Sequence, residues 1–159
     1  MKVQPWLVAL ALAGTLVGAD HAGQRQATIE LTAKRTLMSA PANIAVGAGF
    51  LSGGELTDGQ GRAKVGEGFS HCGVLSVSVA VPPAVTTQCT STFRLQEGEL
   101  HLSGLREYRS IAGGFEPTAM AVTGGTGKYS TARGEAKVTR VTAADRADVG
   151  YRFTITLTD

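Results

Sequence analysis

Beyond its first nineteen residues the chain has no tryptophan, no long apolar run and no concentration of charge, and each absence removes a class of function. Trp6 is the only tryptophan. After Val17 nothing approaches the roughly 18 uninterrupted apolar residues that cross a bilayer as a helix. The 15 basic and 13 acidic side chains give a net charge of +2 and are scattered along the chain. A clustered basic face, the mark of nucleic-acid binders, is therefore missing, and no nucleic-acid partner is expected. Asn43 is the only asparagine and is followed by Ile-Ala, so no N-glycosylation acceptor exists. His21, His71 and His101, with Cys72 and Cys89, show no ligand spacing. No metal and no cofactor are expected from them. No Gly-x-Ser-x-Gly nucleophile elbow is present, which disfavours a Ser/His/Asp hydrolase.

Met1–Ala19 reads as a secretory signal peptide. Lys2 supplies a minimal positive start, Trp6–Val17 an apolar core, and Val17-Gly18-Ala19 a small-residue cleavage site. The expected mature protein, residues 20–159, is a single extracytoplasmic domain that meets a membrane only through the cleaved signal. Loss of Lys2 takes the basic count from 15 to 14 against 13 acidic residues, a net charge of +1.

What the sequence has in plenty is glycine, 21 residues, together with Thr, Val, Ala and Ser. That is a composition of strands and turns. The densest glycine stretch is Ala121–Val138, AVTGGTGKYSTARGEAKV. A phosphate-binding loop would need glycine where Val122 stands and a hydroxyl residue where Tyr129 stands, with a helix following. The stretch fails on all three. It reads instead as strand, glycine turn and strand, with Gly124, Gly125 and Gly127 taking backbone angles that a Cβ disfavours and Gly134 at a bulge or close approach.

The rest alternates with period two. Ala27, Ile29, Leu31 and Ala33 share one face of Gln26–Leu37. Val46–Leu56 is a glycine-interrupted strand, and Thr57–Gly61 is an Asp-Gly hairpin turn. Phe69, His71, Leu75, Val77, Val79 and Val81 fall on one face of Phe69–Val81. Thr87, Cys89, Ser91, Phe93 and Leu95 fall on one face of Ala84–Gln96. Glu99–Leu105 follows as a strand, Arg106–Pro117 reads as a loop, and Val149–Leu157 closes the chain. Glu30 and Arg152, on the polar faces of the first and last strands, are expected to make a surface ion pair. About eight short strands without an amphipathic helix point to an all-β sandwich or closed barrel. Antiparallel strands folding back at Pro82-Pro83 bring Cys72 near Cys89. In an exported chain that pair is expected to form a disulfide.

The glycine stretch resembles the Gly-Gly-Thr-Gly-x-Tyr/Phe-x-x-Ala-x-Gly signature of dirigent and allene oxide cyclase-like proteins. Gly47–Asp58, Val65–Cys72 and Gln88–Leu95 resemble further strands of secreted bacterial members, in the same order. The resemblance implies an eight-stranded antiparallel β-barrel that binds a small hydrophobic molecule and steers its cyclisation or coupling without a cofactor, as an isomerase or cyclase. The alternative is a non-catalytic lipocalin-like carrier or envelope interaction protein. Relatives associate as dimers or trimers through the barrel exterior, and the outward residues here leave homo-oligomer and monomer both open.

Candidate pocket residues are His71, Arg106, Tyr108, Arg109 and Tyr151. Tyr129, Arg133 and Gly134 belong with the glycines of the turn as structural residues, with Arg133 and Glu135 expected as a local ion pair. Ala48-Gly49 follow Val46-Gly47 where relatives often carry Asp-Arg, so an acid that could donate a proton is missing and no residue is carried over as catalytic. An interior cavity of about 300 Å³ or more with convergent polar groups would favour ligand chemistry, and a plugged interior a structural protein.

Overall fold

A computed structural model of the protein describes residues 26–39, 43–110, 112–141 and 149–158. The expected signal peptide and residues 142–148, whose polar sequence predicts a turn, lie outside these residues. Eight strands follow in chain order: β1 Ala27–Ser39, β2 Gly49–Asp58, β3 Lys64–Val77, β4 Val85–Leu95, β5 Gly98–Tyr108, β6 Thr118–Gly125, β7 Arg133–Val141 and β8 Gly150–Thr158. Each pairs antiparallel with the next, and β8 pairs back onto β1, from Ala27 opposite Leu157 to Lys34 opposite Gly150. The sheet is thus a closed barrel with no free edge.

Period-two alternation divides each strand between wall and interior. Val85, Thr87, Cys89, Ser91 and Phe93 of β4 are all buried, as are Leu100, Leu102, Arg106 and Tyr108 of β5. At the level of Phe93 and Phe153, whose rings meet edge to face with centroids 4.8 Å apart, the barrel is solid. Leu56, Leu100, Ile155 and Val122 complete this plug.

The turns obey the chemistry of their residues. Asp58 Oδ1 accepts the backbone N–H groups of Arg62 at 2.8 Å and Gln60 at 3.2 Å, which closes the β2–β3 hairpin. The hydrogen bond from the Arg62 amide is the main reason the Asp58 carboxyl sits below its ordinary pKa. In the glycine stretch a 3-10 turn at Gly127–Tyr129 separates β6 from β7, so the second strand starts at Arg133. Tyr129 is buried beneath the turn. Gly134 has φ of 141°, and a Cβ there would lie 2.0 Å from the Thr156 carbonyl oxygen. It is a close-approach position.

Four expectations need correction. The run Phe69, His71, Leu75 faces outward: Phe69 lies across Gly53 on the outer wall and is 44% exposed, while Cys72 and Val74 point inward. Val79 and Val81 lie beyond the end of β3 and are fully exposed. Arg106–Tyr108 belong to β5, so the loop begins only after Tyr108. Glu30 and Arg152 do not pair. Their strands set Glu30 opposite Thr154 and Arg152 opposite Thr32, a two-residue offset. Arg133 donates to the Ala132 carbonyl at 2.7 Å and forms no ion pair with Glu135 among the described residues.

Candidate functional site

The plug at Phe93 and Phe153 fills the middle of the barrel. One end, formed by the last residues of β1, β3, β5 and β7 and the first of β2, β4, β6 and β8, stays partly open inside. There β5 carries Arg106 and Tyr108 on its inner face. The Thr87 hydroxyl donates to the Arg106 carbonyl at 3.0 Å and fixes the strand beneath the side chain. The segment after β5 folds back on it. Phe115 bridges to Tyr108, and the Glu116 amide donates to the Glu107 carbonyl at 2.8 Å. The Phe115 amide donates to the Tyr151 hydroxyl at 2.7 Å, which ties this segment to β8.

The result is an aromatic clamp on a cation. The Arg106 guanidinium carbon lies 4.0 Å from the Phe115 ring centre and 4.6 Å from that of Tyr151. Phe50 and Tyr108 pack around Phe115, with ring centres 6.1 and 5.5 Å from it. Arg106 is only 4% exposed, and its Nε and Nη2 have no hydrogen-bond partner among the described residues. Burial lowers its pKa from the ordinary arginine value to about 10, opposed only by the neighbouring Tyr151. Burial also raises the Tyr108 phenol above its ordinary value.

Beside the guanidinium is a cavity of about 60 Å³, lined by Met38, Phe50, Ser52, Ser70, Phe93 and Arg106 among others. A recess of about 20 Å³ adjoins it between Arg35, Met38, Tyr108 and Phe115. Both fall far short of 300 Å³, because Phe93 and Phe153 fill the space below. Polar groups do converge. The Ser70 and Ser91 hydroxyls share a hydrogen bond of 2.7 Å across β3 and β4. One step along the same inner face, Cys72 and Cys89 form a disulfide with both residues fully buried. The opposite end of the barrel has a wide depression of about 720 Å³, open to solvent and lined by Glu30, Asp58, Glu97, Lys64 and Arg94. Its mixed charge and exposure give no enclosed chemistry.

Of the five candidate pocket residues, the structure brings Arg106, Tyr108 and Tyr151 together. Arg109 stays on the surface, 3.7 Å from Glu107. His71 is exposed on the outer wall, over Gly49. Phe50, Phe115, Ser70, Met38 and Arg35 are site residues that the sequence did not single out. Arg35 was the most legible of them, since it continues the Leu31, Ala33 alternation inward.

A closed eight-stranded antiparallel barrel with a small aromatic-lined cavity at one end defines the class: a cyclase- and dirigent-type β-barrel. The chain matches the allene oxide cyclase barrel like domain over residues 20–152 and belongs to that family. Solved structures share the fold. A pyocyanin demethylase superposes with a TM-score of 0.62 at 23% identity, covering 81% of this chain and 99% of its own. The Diels–Alderase from Streptomyces koyangensis gives 0.59 at 12% identity, over 87% of this chain and 70% of its own. A pterocarpan synthase dirigent protein gives 0.58 at 15% identity, over 84% and 95%. A comparison by sequence with curated proteins finds no match.

Proposed function

We propose that the protein is an exported barrel that takes a small, largely apolar molecule into its Arg106 end and steers that molecule's cyclisation or coupling. The observation that carries this reading is a buried, unpartnered guanidinium held between aromatic rings at the wall of an apolar cavity. Such a site can do two things for a ring closure. Its aromatic walls hold one folded conformer of the ligand. Its cation stabilises negative charge developing on a carbonyl or enol oxygen, in a dry setting where that charge is worth most. Neither step needs a cofactor, and an isomerase or cyclase activity is the reaction class that fits. A cyclase of the same fold catalyses a [4 + 2] cycloaddition, which supports the same use of the barrel here.

The volume favours one rival reading. A 60 Å³ cavity holds a few atoms, so a non-catalytic carrier or structural barrel remains the competing function. Native mass spectrometry of protein purified from its producer separates them. A co-purifying hydrophobic molecule that is converted on incubation supports the first, one that is released unchanged supports the carrier, and ligand-free protein supports the structural barrel.

Export is supported by the buried Cys72–Cys89 bridge and by a family match that starts at residue 20. N-terminal sequencing that finds Met1 retained would remove it. Self-association is supported by the outer wall, where Leu51, Phe69, Leu75 and Leu105 are each roughly half exposed on β2, β3 and β5. Sedimentation equilibrium giving only the monomer mass would remove it.

A further inference from the structure

The Arg106 guanidinium lacks something that the fold does not provide. Nε and Nη2 are the two nitrogens whose N–H bonds run parallel along one edge of the fork, the edge that grips a carboxylate with two hydrogen bonds. Both are buried and unpartnered. Phe115 and Tyr151 stack against the guanidinium, which fixes its plane before any ligand arrives. Lys34, Arg35 and Arg106 line the cavity, and among the described residues no Asp or Glu does. A cation buried without a counter-ion is costly to keep. A ligand that brings the missing charge recovers that cost on binding.

We propose that the Arg106 end is an anion site. The ligand carries a carboxylate, or an oxygen of comparable acidity, that docks on Arg106 Nε and Nη2, while its apolar body runs outward along Phe50, Phe115 and Met38. This rests on the ligand-binding reading above and narrows it to acids. The dimensions agree. By the measure in which one water needs about 10–15 Å³, the 60 Å³ cavity takes four or five atoms' worth of head group. The adjoining 20 Å³ recess leads the rest toward the mouth at Arg35. Ser52 and Ser70, also on the cavity wall, are placed to hydrogen-bond the same head group.

Benzoate and benzamide test this, because they share shape and differ in charge. Binding is followed by titration calorimetry and by the Arg106 Nε–Hε resonance in nitrogen-15 spectra. Benzoate should bind at least about tenfold more tightly than benzamide, the margin of a charge-assisted over a neutral hydrogen bond, and should shift that resonance. Arg106→Met should erase the preference, Arg106→Lys should restore part of it, and His71→Ala, on the outer wall, should leave it intact. Equal affinity for the two probes, or a preference that survives Arg106→Met, overturns the proposal. So does a resonance that ignores benzoate yet moves in Asp145→Asn/Asp148→Asn, which would mean the chain supplies its own counter-charge. If Arg106→Met does not fold, the two probes on the wild-type protein decide alone. Benzamide bound and benzoate excluded defeats only the anion site, whereas neither probe bound defeats the ligand-binding reading as well.

Discussion

Replacing Arg106 with methionine should make the unliganded barrel more stable while abolishing its affinity for acids. The magnitude follows from the burial of the charge. Arg106 is 4% exposed, and its pKa falls from the ordinary arginine value to about 10. That difference, at 1.36 kcal/mol per tenfold, corresponds to roughly 3 kcal/mol of cost carried by the folded state. The stacking on Phe115 and Tyr151 returns about 1–2 kcal/mol of it. Methionine has nearly the length of the arginine stem and no charge to desolvate. The net gain is therefore about 1–2 kcal/mol, inside the range seen when buried charges give way to apolar side chains. For a domain of this size that raises Tm by about 3–6 °C.

The sign of the pH dependence is fixed. The folded pKa lies below the unfolded one, so from about pH 10 up to the ordinary arginine pKa the unfolded chain holds the Arg106 proton more firmly. Wild-type stability gains from this group as pH rises through that window. The advantage of the variant is full at neutral pH and shrinks above pH 10. Urea unfolding followed by far-UV circular dichroism measures the difference, and comparison with the wild type cancels the other groups that titrate there. A variant less stable than the wild type by 1 kcal/mol or more would mean that the guanidinium is compensated inside the barrel, and the reasoning would fail.

Further outcomes follow from the frame around the site. Removing the bridge with Cys72→Ala/Cys89→Ala should cost about 3 kcal/mol, given a separation of 17 residues. A loss under about 0.5 kcal/mol in the same urea titration would show that the β3–β4 ladder alone constrains the unfolded chain. Gly134→Ala places a Cβ 2.0 Å from the Thr156 carbonyl at a positive φ and should cost about 3 kcal/mol or more. Gly73→Ala meets nothing within 4 Å and should stay within about 0.5 kcal/mol of the wild type. Equal thermal stability for these two variants would contradict the close approach of β7 to β8.

The strands were legible because their alternation is local. Leu31, Ala33 and Arg35 keep one phase through β1, and Thr87 to Phe93 keep one through β4. The disulfide was legible for the same reason: Cys72 and Cys89 fall directly opposite each other when the chain doubles back. The faces of β3 were not. A barrel whose outer wall carries Phe69 and Leu75, and whose inner wall carries Gly68 and Ser70, inverts the rule that apolar means inside. His71 was misplaced along with them.

At the site, Tyr151 could be suspected from its strand, whereas Arg106 and Tyr108 stand in a stretch that reads as a loop. The aromatic clamp on the Arg106 guanidinium could not be suspected, because it depends on Phe115 folding back across β5 and hydrogen-bonding to β8. That contact joins residues 36 positions apart. The cavity volume was equally out of reach, since it is set by how far the Phe93 and Phe153 rings reach across the barrel.

A crystal structure of the protein soaked with 4-bromobenzoate would place the ligand by the anomalous signal of its bromine. The bromine should lie inside the barrel mouth near Met38 and Phe50, with the carboxylate gripping Arg106 at Nε and Nη2. Bromine found only on the outer wall, or an interior left unchanged at saturating ligand, would contradict a barrel built to hold acids.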